Sequence, residues 1–335
     1  MRIVVAYNRP TEVVTGRPEH LETDHQLAYD TRVAAETLAA AGHAVQRIEA
    51  DWDLLRACQA ARPDMIFNLV EGFAGTNAHE HIAPCLFDLA GLPYTGADPV
   101  NLLMIRDKVY TKDILRAHGF PMAPHRLLTR IDDGVDELRF PLILKPVREE
   151  GSLGIAFDSV VRSQADLRER LRNLFAIFRQ PILAEEFIVG REFAAGVLGN
   201  ATLRPLTSVE FKFPETDPLR EFRSYEYKWH KGPETMVPAA DIDDEILAAL
   251  QSMAAKAHTI LRCRDYSRAD FRVAADGSIY FLEHNSNPGV GPNSRDFGNT
   301  FTTMAEFSGI DYGTLLQAIV DVALERYGGP PAVMP

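Results

Sequence analysis

Glu283 and Asn285 stand two residues apart in the run 280–289 (YFLEHNSNPG), behind the short apolar stretch 279–282. In a strand, side chains i and i+2 share one face, so this segment aims two hard oxygen ligands at one spot. Asn287-Pro288-Gly289 then forces a turn. Upstream, Asp270 sits in the run Ser267-Arg268-Ala269-Asp270-Phe271-Arg272, and Asp276-Gly277 between the two runs is a hairpin signal. Closing that hairpin brings Asp270, Glu283 and Asn285 together, with Arg268 beside Asp270 on the same face. Such oxygen ligands suit Mg²⁺, which takes a few carboxylates plus the oxygens of a phosphate substrate. An arginine next to the ion serves to stabilise developing negative charge. The spacing alone also fits an edge hairpin with solvated acids, and the rest of the chain must decide.

Lys145 ends the apolar run 141–144 and precedes a loop containing Glu149, Glu150, Gly151, Ser152 and Gly154. A lysine ending a buried strand needs an anionic partner. The glycine-bearing loop can turn backbone N–H groups toward a phosphate, although a plain surface loop has the same composition. Further on, the run 184–192 (AEEFIVGRE) sets acids just after an apolar strand. A strand stopping against a flat base offers backbone donors and acceptors near Phe187 and Ile188, with an acid for a ribose hydroxyl. In the alternative reading Glu185 and Glu192 are surface residues. His79 and His81 lie two apart, and His25 and His230 are scattered, with no zinc spacing among them. They are expected to be solvated or to contact substrate. No nucleophile elbow announces a Ser-His-Asp triad.

The elements that must position these residues fall into three sections. Over 1–100, strand patterns (3–7, 44–48, 65–70) alternate with helix patterns (24–41, 52–61, 82–90). This alternation predicts an α/β domain with a parallel sheet. Ligands of such sheets lie beyond the carboxyl ends of the strands, where Asn8, Glu71 and the 73–77 loop fall. The section 101–189 opens with a helix from Asp107 to about 118 and continues with strand 142–145, helix 163–177 and strand 182–187. The section 190–335 is mostly strands, followed by a charged loop over 213–238, a helix over 242–261, the hairpin and a closing helix over 312–327.

The net charge of −12 argues against a general nucleic-acid binder, which needs a basic face. With 335 residues, 46% of them hydrophobic, the chain has enough apolar material for two or three packed domains. Its three cysteines form neither a metal motif nor a disulfide framework. Without a signal-like or membrane-spanning run, the expected location is cytoplasmic.

Taken together, the blocks resemble the ATP-grasp superfamily, and most closely its D-alanine–D-alanine ligase branch. The matching stretches are Phe67-Asn68-Leu69-x-Glu71-Gly72, Gly91-Leu92-Pro93-Tyr94-Thr95-Gly96, Asp107-Lys108-x-x-Thr111-Lys112 and Phe140-Pro141-x-x-Leu144-Lys145-Pro146. They continue with Glu185-x-Phe187-x-x-Gly190-x-Glu192, Tyr225-x-Tyr227-Lys228, Arg268-x-Asp270-Phe271 and Glu283-x-Asn285-x-x-Pro288-Gly289. The resemblance implies an N-terminal α/β domain followed by two α+β subdomains that clasp ATP. It implies that Lys108 and Lys145 contact the ATP phosphates, and that Glu185, Phe187 and Ile188 line the adenine slot, the latter two through backbone. Glu192 would hold the ribose, and Lys228 would reach the γ-phosphate as the charged loop closes. Asp270, Glu283 and Asn285 would bind one or two Mg²⁺ ions, for which Mn²⁺ substitutes. Arg268 and Ser152 are the expected catalytic residues. The Gly289 amide and Ser294 would receive the second substrate's carboxylate, with Glu71 also on the substrate side. A homodimer through the first domain is the expected assembly.

The implied reaction joins an amino acid carboxylate to the amine of a second amino acid through an acyl phosphate. The departures fall on the substrate side: Tyr7-Asn8-Arg9-Pro10 replaces a glycine-rich turn, Asn77-Ala78-His79-Glu80 replaces a Gly-Glu-Asp-Gly loop, and Gly151 stands for a serine. Glu22, Asp24 and His25 offer no clear match to the family's ammonium-binding glutamate. Lys228 and Lys231 compete for the phosphate role. A different acid–amine pair in specialised metabolism is therefore the alternative, and a catalytically silent ATP sensor is a third reading.

Overall fold

The computed structural model describes residues 1–9, 22–74, 76–229, 235–293 and 298–329. The first sheet is parallel, with β1 (Arg2–Tyr7) between β2 (Ala44–Glu49) and β3 (Met65–Leu69). Helices α1 (Glu22–Ala40), α2 (Leu54–Ala61) and α3 (Ile82–Ala90) complete this unit. Two short helices follow, α4 (Pro99–Arg106) and α5 (Lys108–Ala117).

The second sheet is antiparallel in the order β4-β7-β5-β6, from β4 (His125–Leu128), β5 (Leu142–Pro146), β6 (Val160–Val161) and β7 (Ile182–Glu186). Helix α6 (Gln164–Phe178) begins at a capping Ser163, whose side chain accepts the amide of Asp166, and buries Leu167, Leu171 and Leu174 against this sheet. The third sheet holds six strands: β8 (Gly190–Gly199), β9 (Leu203–Pro205), β10 (Val209–Lys212), β11 (Thr235–Pro238), β12 (Tyr266–Ala274) and β13 (Ile279–Asn285). The remaining helices are α7 (Tyr225–Trp229), α8 (Asp244–Ile260), α9 (Thr300–Phe307) and α10 (Tyr312–Arg326).

One core joins the first and third sheets. Ile3, Val5 and Phe67 pack in the same cluster as Phe301, Met304, Leu315 and Ile319 from α9 and α10. The second sheet has its own core with α6. A small cluster of Ile143, Phe187 and Phe222 bridges the second sheet and the 213–224 segment, where the cleft between the second and third sheets is floored.

Two expectations need correction. The 213–238 stretch is not all loop: it contains α7, and β11 pairs with β10 by matching Lys212 to Thr235. Helices α4 and α9 and strands β4 and β6 lie outside the elements expected from the sequence. Helix α4 has a full start signal, with Asp98 accepting the amide of Asn101 and Pro99 at the first helical position, but it is only one face of two short turns. Among the described residues, no helix is long and apolar enough to cross a membrane.

Candidate active site

Strands β12 and β13 pair antiparallel with Asp270 directly opposite Glu283 and Arg268 opposite Asn285. Gly277, at φ +84°, supplies the turn between them, and a bulge follows Asp270. The expected trio is thus brought together. Asp270 is 2% exposed and both its oxygens are gripped by Arg268, Nε to Oδ1 at 2.8 Å and Nη2 to Oδ2 at 3.0 Å. Arg223 approaches Oδ2 within 3.9 Å. Burial pushes the Glu283 carboxyl up, but Lys108, Arg268, Lys145 and Arg223 outweigh it and hold the group below the ordinary range. The Nδ2 of Asn285 is buried with no hydrogen-bond partner.

The residues fit a hard divalent cation. Among those described, no three His, Cys, Asp or Glu side chains gather as a metal cage. An ion here would rest on two carboxylates and an amide, leaving the remainder of its shell to ligand oxygens, as Mg²⁺ prefers.

A wall of lysines faces the hairpin. Asp107 caps α5 by accepting the amides of Val109 (3.1 Å) and Tyr110 (3.3 Å), and Arg148 Nε donates to its other oxygen at 3.1 Å. Lys108 is thereby fixed at the first turn, and its Nζ donates to the Glu149 carbonyl. One turn on, Lys112 is 1% exposed, with Nζ at 2.7 Å from Glu185 Oε1 and 3.3 Å from the Phe281 carbonyl. Lys145 Nζ lies 2.7 Å from Glu185 Oε2. Burial would raise the Glu185 carboxyl, yet the two lysines bring it down to about 2. The surface reading of Glu185 and Glu192 is overturned, since both are buried.

Lys108, Lys145, Glu185, Asp270 and Glu283 line one cleft of about 780 Å³, open solvent at its mouth included, with Ile188, Glu192 and Ser152 on its walls, while Lys112 and Asn285 border an adjoining pocket that shares Lys108 and Glu283. The Phe187 ring packs edge-on to Phe222, centroids 5.8 Å apart, and its amide donates to the Pro141 carbonyl at 2.9 Å. Only the carbonyl side of its peptide is left to a ligand, which narrows the expected backbone role. Glu192 Oε2 accepts from Arg272 Nη2 at 2.7 Å and from the Arg223 amide at 3.4 Å.

The loop after β5 turns through Gly151 and Ser152, at φ +63° and +62°, and Gly154 at +77°. A Cβ on Gly154 would meet the Pro146 and Phe178 side chains at 2.5 and 2.8 Å, so no larger residue fits there. Ser152 Oγ donates to the Arg223 carbonyl at 3.2 Å, and the Tyr225 amide to the Ile155 carbonyl at 2.7 Å. The loop and the 213–229 segment are therefore already laced together. The backbone of Lys228 lies in α7. Its side chain, together with Lys231 and Ser294, falls outside the described residues.

Glu71 and Gly289 border a second, partly open pocket beyond the hairpin, of about 400 Å³ with open solvent at its mouth included. Sequence reasoning gave no role to Lys112, Arg223 or Arg272. Lys112 repeats Lys108 one helical turn later, and Arg272 repeats the Arg268–Asp270 face, so both left a signal. Arg223 left none, because its partners lie on strands distant in sequence.

Residues 114–321 match the family model described as D-ala D-ala ligase C-terminus, well over half of the chain. A D-alanine–D-alanine ligase of Novosphingobium aromaticivorans is 32% identical over 88% of this chain and 90% of its own. The uncharacterized protein y4sG of Sinorhizobium fredii is 31% identical over 98% of both chains, and a D-alanine–D-alanine ligase of the same strain is 29% identical over 86% of this chain. Among solved structures, the Bacillus anthracis D-alanine–D-alanine ligase complexed with ATP superimposes with a TM-score of 0.74 at 19% identity, covering 98% of this chain and 100% of its own. A clasped cleft between two antiparallel sheets, the ordered motifs and these matches lead to one conclusion: the chain belongs to the D-alanine–D-alanine ligase family, ATP-dependent ligases on the ATP-grasp fold.

Proposed function

We propose that the protein uses ATP and Mg²⁺ to join the carboxylate of one amino acid to the amine of another through an acyl phosphate. The observation that carries this reading is the register of β12 on β13, which sets Asp270 against Glu283 in a cleft walled by Lys108 and Lys145. A carboxylate is a poor acylating agent, because it would have to expel an oxide. Phosphorylation requires two anions to meet, and unit charges about 4 Å apart repel by roughly 4 kcal/mol at an effective dielectric of 20. In this proposal Lys108 and Lys145 hold the phosphates. Asp270, Glu283 and Asn285 would hold Mg²⁺, whose charge would offset that of the transferring phosphoryl group. Lys145 would exchange Glu185 for phosphate, leaving Lys112 to hold that carboxylate.

Arg268 would release Asp270 and turn to the acyl oxygen, where negative charge develops as the amine attacks. Glu185, Phe187, Ile188 and Glu192 would line the adenosine, with the 149–155 loop and α7 excluding water above it. Gly289, Ser294 and Glu71 would position the amino acids. Residues 1–100, 101–189 and 190–335 would act as three domains, and homodimers would form through the first, in the cytoplasm.

A different acid–amine pair is favoured over D-alanine by one observation: the relative matching nearly full length, y4sG, coexists in one strain with a separate D-alanine–D-alanine ligase. A matrix of D- and L-amino acids, alone and paired, scored by phosphate release and product mass tests the proposal. ADP-forming turnover with some pair is expected. Tight ATP binding with no turnover across the matrix would instead favour the sensor reading.

A further inference from the structure

Arg223 lines the cleft beside Lys108, Lys145, Asp270 and Glu283, on the segment that leads into α7. Its side chain is 15% exposed. The guanidinium carbon lies 4.3 Å from the centroid of the Phe211 ring, and Nη2 donates to Thr300 Oγ1 at 3.3 Å. Nη1 stands 3.9 Å from Asp270 Oδ2, an ion-pair distance too long for a hydrogen bond. Asp270 already has both oxygens bonded by Arg268, so it does not need this second arginine. The backbone of Arg223 is fixed by two cleft residues: its carbonyl accepts from Ser152 Oγ at 3.2 Å, and its amide donates to Glu192 Oε2 at 3.4 Å. The guanidinium is therefore engaged and held in place, and its charge reaches Glu283, whose carboxyl it helps keep ionised.

Lys108 and Lys145 reach the cleft from α5 and β5, whereas Arg223 reaches it from the side of β10 and α9. A transferring phosphoryl group spreads its charge over three equatorial oxygens, which cations on one side alone do not surround. A guanidinium offers a planar fork of donors that matches two such oxygens and does not deprotonate. The contacts with Phe211 and Thr300 set that fork in place before any ligand arrives, so little reorganisation is left for the reaction itself.

We propose that Arg223 is a catalytic residue, its guanidinium binding two oxygens of the phosphoryl group as that group passes from ATP to the substrate carboxylate. The proposal rests on the ligase reading and adds a residue to that site. The bond from the γ-phosphorus to the β–γ bridging oxygen breaks while one to the carboxylate oxygen forms. ADP leaves with the electron pair, and Arg223 gives up no proton. The test uses the intact protein with Arg223→Lys and Arg223→Ala. Calorimetric titration compares ADP and Mg²⁺ with and without aluminium fluoride, which mimics the phosphoryl group in transfer. Amino-acid-dependent phosphate release is followed in parallel. The parent should bind ADP about tenfold or more tighter with aluminium fluoride, and Arg223→Lys should lose that gain while binding ADP alone within about threefold of the parent. With any pair that turns over, Arg223→Lys should lower kcat on the order of a hundredfold at nearly unchanged KM for ATP. Guanidinium chloride should restore Arg223→Ala about tenfold over an equal concentration of sodium chloride, which a merely structural arginine would not show. No fluoride gain in the parent, a parent-like gain in Arg223→Lys, a loss confined to KM, or no rescue beyond the salt control would overturn the proposal. Should Arg223→Ala fail to fold, Arg223→Lys decides by the first two measurements. Absence of ADP release by the parent with every pair would sink the ligase reading alone, because the fluoride gain and its loss are read without amino acids.

Discussion

At the scale of single residues, the site is a set of charges that are tolerable only together. Glu283 is pressed by burial toward the neutral acid and held ionised by four nearby cations. Replacing it with the isosteric glutamine removes a proposed ion ligand without opening a cavity. We expect Glu283→Gln to lower turnover on the order of a thousandfold, as for loss of one transition-state charge contact. Its melting temperature should move by only about 3 °C. A collapse of stability instead would assign Glu283 a structural role. Glu185 behaves differently, because it neutralises two lysines in the folded protein. Its folded pKa, about 2, lies below the ordinary 4.5, so its contribution is complete above about pH 4.5 and is lost as pH falls toward 2. Glu185→Gln should therefore be strongly destabilised near neutrality, by about 3–5 kcal/mol for breaking a buried pair. The gap to the parent, measured by chemical denaturation, should narrow between pH 6 and pH 3.5. A gap independent of pH would contradict the bracketing of Glu185 by Lys112 and Lys145.

At the scale of elements, capping and register carry the positional accuracy. Asp107 both starts α5 and fixes Lys108 at the cleft, so Asp107→Ala should cost about 1 kcal/mol of stability from the lost cap. Through Lys108 it should also weaken ATP binding about tenfold, or 1.4 kcal/mol, in calorimetric titration. Lost stability with unchanged ATP affinity would show that Lys108 does not depend on the cap. The hairpin was legible in the sequence because Asp276-Gly277 fixes the turn, and a fixed turn sets which residues face each other across it. Long periodic helices such as α1, α6 and α8 were legible for the same local reason. The pairing of Lys112 with Glu185 was not, since α5 and β7 meet only through the tertiary fold. Nor was α7, whose five residues are too few for a periodic signal. The Arg268–Asp270 clasp also lay beyond the sequence, because spacing places two side chains on one face without saying whether they bind each other.

At the scale of the molecule, the second and third sheets form two walls, and the 149–157 loop is tied to the 213–229 segment across the cleft by Ser152–Arg223, Tyr225–Ile155 and Phe157–Glu226 hydrogen bonds. A nucleotide between the walls should stiffen both segments at once. Hydrogen exchange over 149–157 and 213–229 is expected to slow together on adding ATP and Mg²⁺, with 22–61 little changed; protection confined to one segment would contradict a shared lid. The walls matter because the chemistry needs an acid group and a triphosphate held in line and dry. That chemistry leaves an isotopic trace. If the protein is given amino acids labelled with ¹⁸O in the carboxyl group, the account predicts that one labelled oxygen per turnover passes into the released inorganic phosphate. Product formed with unlabelled phosphate, or with AMP in place of ADP, would contradict it.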